Sequence, residues 1–473
     1  MIDRMSRRIS MIICCLMAIS LPCLAFSPYP KSSCKSHFTI LSSSFCAEAD
    51  QHQLTPIPPT DVAASARGWM EHTEQRDGPK FGVGGYTVLR CDATLYRPNN
   101  DGSSTQEYCE WKIWGEQFHI DRLSSSFQTI QENLFGDSLD QQSFGSFIGG
   151  GITSMSSVGS TVHMQSMFAD SIEETKLIMN TLLEEAAKSI RVNSINSQHE
   201  DSLTHTLMLT ILWTPTTSSG GAVKPYVRGH AAFANNNIGT DSHPILPTPI
   251  TACIATPSQL TLEALSVLPR RHGTNLNQQR QVGSNASAKL SSWCRLRRPL
   301  EDPNRYKPSG VGEVILLRKP DTERGTNIMT YSNDNFIDSL ELLEGLISNL
   351  FVVYRDGTVR TAPDGLVLPG YARHLIIQEL NEQGIKVDSS RPPTIQDMKD
   401  GLWSEVFVTS AIRLVVPVER IIMPENGINN SYHLVLWEAG NEEYSATKMI
   451  QTAMYQRGCS QATRSMKNVM IYD

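Results

Sequence analysis

The sequence predicts a two-domain protein of mixed α and β structure, with an α+β domain at residues 66–240 and a larger α/β domain at 241–473. The chain has 473 residues, enough for two or three domains with substantial cores. Strand-like and helix-like segments alternate along it. A run rich in Pro and Asn, Asn235–Pro249, separates two such regions and is interpreted as an interdomain linker.

The smaller domain carries short strand patterns and two helix patterns. The predicted strands are Gly82–Arg90, Tyr108–Trp114, Thr206–Trp213 and Tyr226–Ala232. His119–Leu123 opens an amphipathic helix, and Ile172–Ser189 is a second helix with apolar residues at helical spacing. Residues 135–161 are rich in Gly and Ser, which predicts a flexible insertion.

One stretch, Glu341–Arg373, organises the larger domain. Apolar residues on both sides of Asp356-Gly357 predict a tight β-hairpin. Leu368-Pro369-Gly370 then forms a turn, and Tyr371–Gln383 has helical periodicity. A helix that opens at such a turn exposes free backbone N–H groups, which suit an anion. With Glu344 beside a glycine at the start of a strand, the stretch offers a buried carboxylate, a hairpin and a phosphate-sized cradle.

The remaining predicted elements of the larger domain surround this stretch. Val311–Leu317 and Leu434–Glu438 are predicted strands, the latter being the final strand of the chain, and Glu405–Val418 is a predicted strand and turn. Thr394–Trp403 and Ser445–Arg457 are predicted helices. Thr394 is the predicted N-cap of its helix. Residues 318–335 are polar and are interpreted as an insertion.

Three motifs resemble, in this order, those of a known family. They are Glu344–Phe351 (EGLISNLF), Leu368–Arg373 (LPGYAR) and Phe407–Val418 (FVTSAIRLVVPV). They are similar to the motifs of class IV aminotransferases, the fold type IV of pyridoxal-phosphate enzymes, which includes branched-chain and D-amino-acid aminotransferases and aminodeoxychorismate lyases. The run Phe407–Arg413 resembles a divergent plant and algal branch. The resemblance implies a small α+β domain, a larger barrel-like α/β domain and a homodimer.

The resemblance also implies which residues hold pyridoxal phosphate. Glu344 matches the acid at the pyridine nitrogen, while Tyr371 and Ala372 match the backbone phosphate contacts after the Pro-Gly turn. Ser410 and Ala411 match a second phosphate contact; alanine stands where the family often has a threonine hydroxyl. In the N-terminal half, the motif His119-x-x-Arg122-Leu123 implies that Arg122 binds the phosphate, and Arg90 is implied on the substrate side.

The position of the Schiff-base lysine is the main departure from the family. The run Cys294–Glu301 matches the expected pattern, and it places Arg295 where the lysine should be. Arginine stays protonated at physiological pH and forms no productive Schiff base. Lys289 would serve after a register slip of six residues, and Lys307 after a slip of twelve in the other direction.

Two hypotheses of different classes follow. The first is a pyridoxal-phosphate-dependent transaminase or lyase that uses a lysine outside the expected position, with an amino acid or an aminodeoxychorismate-like compound as substrate. The second is a diverged, non-catalytic member that binds a phosphorylated or anionic ligand, or a protein partner, near Arg122, Arg295 and the Pro369-Gly370 turn.

Composition excludes several other functions. The net charge of −7 gives no nucleic-acid footprint. The ten cysteines lack CxxC or Cys/His ligand spacing, so no metal site is predicted. Five lie after the N-terminal leader (Cys91, Cys109, Cys253, Cys294 and Cys459), and this odd set is interpreted as free thiols in a reducing compartment.

The N-terminus predicts processing and import. Arg4, Arg7 and Arg8 precede a short apolar run that ends at Ala25, which is typical of a signal peptide over residues 1–25. Residues 26–65 are interpreted as a basic, Ser-rich transit peptide followed by a Pro-rich linker. Such a bipartite presequence resembles those of algae with complex plastids, and a secretory signal is the alternative. The mature protein is expected to have no membrane segment.

Overall fold

The computed structural model describes residues 44–48, 55–57, 66, 68–70, 84–96, 108–135, 167–196, 204–217, 223–234, 247–255, 288–291, 293–294, 297–302, 306–318, 339–424, 433–440 and 444–468. In chain order its elements are β1 (Ser44–Glu48), β2 (Thr55–Ile57), β3 (Gly85–Tyr96), β4 (Tyr108–Ile113), α1 (Glu116–Phe135), α2 (Ala169–Asn196), β5 (Thr204–Thr217), β6 (Val223–Phe233), β7 (Ile250–Ala255), α3 (Arg298–Glu301), β8 (Val311–Arg318), β9 (Glu341–Gly345), β10 (Asn349–Tyr354), β11 (Val359–Arg360), α4 (Tyr371–Glu382), β12 (Val387–Asp388), α5 (Ile395–Lys399), β13 (Trp403–Ser410), β14 (Leu414–Pro424), β15 (His433–Glu438), α6 (Ser445–Gln461) and β16 (Thr463–Asn468).

The first sheet has seven strands in the order β16-β4-β3-β5-β6-β1-β2, and every described pair is antiparallel. Helices α1 and α2 cover one face. Leu123 and Phe127 of α1 and Leu182 of α2 are fully buried in one core with Trp213 of β5. A large aromatic at the centre of such a core contributes much of the apolar area that the sheet and helices bury.

The second sheet has nine strands and closes on itself through β9. Its path is β12-β11-β10-β13-β14-β7-β8-β9, β15 adds to β14, and β9 also pairs with β10. The closing contact joins Asn349 to Glu344. The interior is filled by aliphatic side chains from several strands, among them Leu342, Leu350 and Val408. The fold is therefore mixed α and β with one barrel-like sheet, as the sequence predicted.

Several local predictions for the C-terminal half are confirmed. Val353 pairs with Val359 across the Asp356-Gly357 turn, and Gly357 has the positive φ (82°) that such a turn requires. Thr394 caps α5 by accepting a hydrogen bond from the N–H of Asp397 (3.0 Å). The helix ends earlier than predicted, at Lys399, because the chain turns at residue 401 and enters β13.

One prediction about the C-terminal end of the fold is corrected: β15 is not the last strand, because β16 follows α6 and pairs with β4 in the first sheet. Residues 44–48 and 55–57 are strands that extend the same sheet beyond β6, and the interpretation of residues 26–65 as transit peptide and linker stays a prediction. The boundaries of the two domains stay predictions. The predicted signal peptide (1–25) and residues 136–161 and 319–335 of the two insertions lie outside the described residues.

Candidate active site

Lys289 is held against the first sheet at the start of β3. The N–H of Tyr86 donates to the carbonyl oxygen of Lys289, and the N–H of Ser291 donates to that of Gly84, both at 2.8 Å. The N–H of Lys289 itself donates to Ser126 Oγ on α1 (3.0 Å). The lysine segment therefore continues the sheet by an antiparallel bridge, and its backbone is fixed on two sides.

The Lys289 side chain projects into a cluster of charged groups. Its Nζ lies 5.1 Å from the centroid of the Tyr86 ring and has no hydrogen-bond partner among the described residues. Burial and the positive charges of Arg122 and Arg297 hold the pKa of Lys289 well below its usual range, with Glu344 acting weakly in the opposite direction. The lowered pKa increases the fraction of the amine that is unprotonated, with its nitrogen lone pair free.

Glu344 lies on β9, the strand that closes the second sheet, and it interacts electrostatically with Lys289. Its Oε2 accepts hydrogen bonds from Asn349 Nδ2 and from the N–H of Leu368, both at 3.1 Å. In the described part of the chain no group engages Oε1. Burial raises the pKa of this carboxyl to about 8, although the N–H of Leu368 and nearby cationic side chains oppose the shift.

Arg122 and His119 form a buried pair on α1. Arg122 Nη2 donates to Thr87 Oγ1 (2.7 Å) and to His119 Nδ1 (2.9 Å). Because arginine can only donate, Nδ1 accepts and the histidine carries its proton on Nε2. Burial and the Arg122 charge hold the pKa of His119 well below its usual range, and burial lowers that of Arg122 to about 10. Arg122 Nε and His119 Nε2 are buried without a partner among the described residues.

The N-terminus of α4 lies beside this pair. The rings of Phe118 and His119 are 5.4 and 5.5 Å from that of Tyr371, the first residue of the helix. Gly370 is the N-cap and provides no side-chain hydrogen bond, so the first backbone N–H groups of α4 have no cap. A guanidinium and a free helix N-terminus are thus brought together, although they come from opposite halves of the chain.

The structure brings together some of the predicted site residues and not others. Arg122 and Glu344 interact electrostatically with Lys289, and the Tyr371 ring lies against His119. Ala372 is the second residue of α4, and its contact with a phosphate stays a prediction. Ser410 Oγ accepts a hydrogen bond from the N–H of Arg413 (3.2 Å) in the turn between β13 and β14, and the role of Ser410 and Ala411 toward a phosphate stays a prediction.

Arg295, predicted at the lysine position, lies outside the described residues. Lys289, which the sequence offered only as a slipped-register alternative, interacts electrostatically with Glu344, and its role toward a cofactor stays a prediction.

Arg90 makes several bonds inside the protein, and its predicted substrate-side role stays a prediction. Its side chain is 1% exposed, and its guanidinium is bonded to both carboxylate oxygens of Asp92 (2.9 Å each). It also donates to Thr206 Oγ1 (3.0 Å) and to the carbonyl oxygen of Ile412 (2.7 Å). Arg90 therefore ties β3 of the first sheet to the β13–β14 turn of the second, and these internal bonds occupy the group predicted to meet substrate.

The described residues contain neither a cluster of metal ligands nor a membrane-spanning helix. In the ranges that the structure describes, no cluster of three or more His, Cys, Asp or Glu side chains could hold a metal ion. Among those residues, no helix is both long and apolar enough to cross a bilayer. The five cysteines that follow the leader are free thiols, as predicted.

Residues 291–421 match the family described as amino-transferase class IV, and the match begins two residues after Lys289. No curated protein sequence matches the chain.

Solved structures similar to the chain include three branched-chain amino acid aminotransferases. One, from Thermobaculum terrenum in its PLP form, is 13% identical, covers 89% of this chain and 98% of its own, and has a TM-score of 0.44. One from Thermotoga maritima is 12% identical, with 88% and 96% coverage and a TM-score of 0.41. The Escherichia coli enzyme is 15% identical, with 88% and 94% coverage and a TM-score of 0.38.

Proposed function

We propose that this chain, whose residues 291–421 match the amino-transferase class IV family, is a pyridoxal-phosphate-dependent enzyme acting on an amino-group donor. Lys289 is the residue that we expect to bind the cofactor aldehyde. One observation carries the proposal: the Lys289 segment is held by its backbone to Ser126, its Nζ lies 5.1 Å from the Tyr86 ring centroid, and its pKa is lowered by burial and two arginines while Glu344 interacts with it electrostatically. When bound, pyridoxal phosphate supplies an electron sink for the carbanion that forms next to the amino group.

The Lys289 amine has the properties of a nucleophile. An amine attacks a carbonyl carbon only through its unprotonated form, so a lowered pKa raises the reactive fraction at neutral pH. The residue has no hydrogen-bond partner to compete for the lone pair within the described ranges. Its backbone is fixed by Tyr86 and Ser126, which limits where Nζ can reach.

Glu344 is suited to hold a proton against a ring nitrogen. Asn349 and the N–H of Leu368 anchor Oε2, which leaves Oε1 as the atom that meets the ligand. Because the pKa is raised to about 8, the carboxyl carries a proton at neutral pH until a basic nitrogen arrives to accept or share it.

The phosphate would be held by charge and by backbone donors. Arg122 offers the orphaned Nε of a buried guanidinium, and α4 offers the uncapped N–H groups that follow Gly370. A dianionic phosphate would satisfy both and would gain from the helix dipole. The orphaned donors and the free amine are therefore a donor set that fits pyridoxal phosphate.

Cofactor attachment tests the proposal directly. Purified protein is mixed with pyridoxal phosphate, and its absorbance is recorded before and after borohydride. We expect a visible band that borohydride removes, and peptide mass spectrometry should find the pyridoxyl group on Lys289. Lys289→Ala should lose the attachment, whereas Lys307→Ala should keep it. A folded protein that never acquires the group would overturn the proposal and favour the non-catalytic alternative.

The broader expectations also become proposals at this point. We propose a plastid location, supported by the basic, Ser-rich leader and the free thiols, and a homodimer, supported by the family resemblance. A fusion of residues 1–65 to a fluorescent protein that is secreted would overturn the first, and a monomeric mass by sedimentation would overturn the second.

A further inference from the structure

We infer that Thr87 is a positioning residue, whose hydroxyl holds the Arg122 guanidinium in the orientation that binds the phosphate of the cofactor. The inference rests on the proposed function and deepens it, because it adds to the phosphate site a residue that acts through Arg122. No sequence motif pointed to Thr87. The resemblance implied Arg122 alone and left open how its side chain is held.

The Thr87 side chain is a polar group at the edge of an apolar core. It is fully buried on β3, and the next residues on the same face of that strand, Leu89 and Cys91, belong to the core that α1 and α2 cover. A valine would fill such a position with the same shape and without a polar atom. A buried hydroxyl is costly unless it is hydrogen-bonded, so the role of this one follows from its partners.

Thr87 closes a triangle of hydrogen bonds with two residues of α1. Its Oγ1 accepts from Arg122 Nη2 (2.7 Å) and lies 2.7 Å from His119 Nδ1. Arg122 Nη2 is 2.9 Å from the same ring nitrogen. A threonine hydroxyl can accept from the guanidinium and donate to the imidazole at the same time, so each of the three groups fixes the other two.

The triangle fixes one edge of the guanidinium and leaves Nε of Arg122 available. Both hydrogen bonds are made by Nη2, whereas Nε is buried without a partner among the described residues. The centroid of the Phe118 ring lies 5.6 Å from Cζ of the same group, within the range of a cation–π contact. Because Phe118 and His119 both contact Tyr371, the first residue of α4, the guanidinium is held beside the helix N-terminus that we propose for the phosphate.

The support behind the triangle is closely packed. A Cβ added at Gly85 would come within 3.1 Å of Ser126 Cβ, so β3 and α1 are in close contact here. Ser126 follows Arg122 by one helical turn, and its Oγ accepts from the N–H of Lys289 (3.0 Å). The same face of α1 therefore carries the phosphate donor and holds the lysine segment. Since the helix fixes only the backbone of Arg122, the direction of its long side chain depends on Thr87 and His119.

Two substitutions at Thr87 test the inference, because they separate the hydroxyl from the packing. Calorimetry measures the binding of pyridoxine phosphate and of pyridoxine to cofactor-free protein; neither compound has an aldehyde that Lys289 could capture. We expect wild type to bind the phosphate ester at least about ten-fold more tightly, since hydrogen bonds to charged groups are worth this much or more. Thr87→Val, which keeps the shape, should lose most of this preference, whereas Thr87→Ser, which keeps the hydroxyl, should retain it.

A buried threonine on α2 provides the matched control. Thr175 is fully buried, and its Oγ1 donates to the carbonyl oxygen of Ser171 (2.7 Å) and accepts from Trp213 Nε1 (2.9 Å). Thr175→Val removes a comparable buried hydroxyl that does not contact Arg122. It should lower the melting temperature and keep the preference for the phosphate ester.

The outcomes separate this inference from the proposed function. A preference that survives in Thr87→Val, that is lost equally in Thr87→Ser, or that is absent in wild type overturns the inference. Covalent attachment of pyridoxal phosphate to Lys289 is measured separately; if it fails while the preference depends on the Thr87 hydroxyl, the inference stands and the proposed function falls. Should Thr87→Val not fold, His119→Phe removes the ring nitrogens and keeps an aromatic ring, and full retention of the preference then overturns the inference.

Discussion

Trp293 Nε1 donates a hydrogen bond to the carbonyl oxygen of Leu346 at 2.8 Å. Trp293 follows Lys289 by four residues, and Leu346 follows Glu344 by two. The bond therefore links the segment that carries the amine to the strand that carries the Glu344 carboxylate. The distance between the Lys289 amine and the Glu344 carboxylate therefore depends on this hydrogen bond as well as on the two sheets to which the residues are attached.

Trp293→Phe should loosen this link while keeping most of the packing. It leaves the carbonyl of Leu346 without its donor, which costs about 1–3 kcal/mol for a buried group. We expect a lower free energy of unfolding in urea and slower cofactor attachment at Lys289. Unchanged stability together with unchanged attachment would show that the bond does not position the lysine.

Glu344→Gln should change how stability depends on pH. The folded pKa of Glu344 is about 8, against 4.5 for the free side chain, so the folded state binds the proton more tightly. Its contribution to stability is present at low pH and is lost as the pH rises from 4.5 towards 8. Cofactor-free Glu344→Gln should therefore lose less stability than wild type over this range in thermal melts. If the stability of the two proteins changed equally with pH, the raised pKa of Glu344 would be contradicted.

Glu405→Ala should destabilise the C-terminal helix. The buried carboxylate accepts hydrogen bonds from the N–H groups of Ala446 (3.0 Å) and Thr447 (2.8 Å) and from Thr447 Oγ1 (2.6 Å). Glu405 therefore caps the N-terminus of α6 from strand β13. Without the carboxylate these donors have no acceptor, and we expect the free energy of chemical unfolding to fall by at least about 2 kcal/mol. As a control, Glu438→Ala removes only an exposed ion pair with Arg420 and should cost at most about 1 kcal/mol. Equal losses would refute the capping role.

Gly370→Ala should disturb Glu344 through Asn349. A Cβ at this position would collide with Asn349 Oδ1, and Asn349 Nδ2 bonds both Glu344 and the carbonyl of Leu368. We expect reduced cofactor occupancy and a lower melting temperature. Gly440→Ala is the matched control, because a Cβ there meets nothing within 4 Å. Equal cofactor occupancy in the two variants would show that displacing Asn349 does not affect cofactor binding.

Elements with local signals were predictable from the sequence. The turn at Asp356-Gly357, the cap at Thr394 and the start of α4 each depend on a few neighbouring residues. Each of these elements requires a backbone conformation that only certain residues favour, and distant contacts did not override that preference.

The candidate site depends on distant contacts, which a single sequence does not reveal. Lys289 is placed by hydrogen bonds to Tyr86 and Ser126, far earlier in the chain, and no local pattern marks that pairing. Arg90 is different, because its partner Asp92 is two residues away. Residues at this spacing share one face of a strand, so the sequence contained the signal for an internal ion pair.

The return of β16 to the first sheet affects how the chain is synthesised. Strand β4 lacks its outer neighbour until residues 463–468 have been made, although β3, β5 and β6 are complete some 230 residues earlier. An unpaired strand edge is prone to pair with other chains. During translation the edge of β4 therefore stays unpaired until β16 has been synthesised. Ribosome-bound chains truncated before residue 463 would be especially prone to aggregate and to need a chaperone.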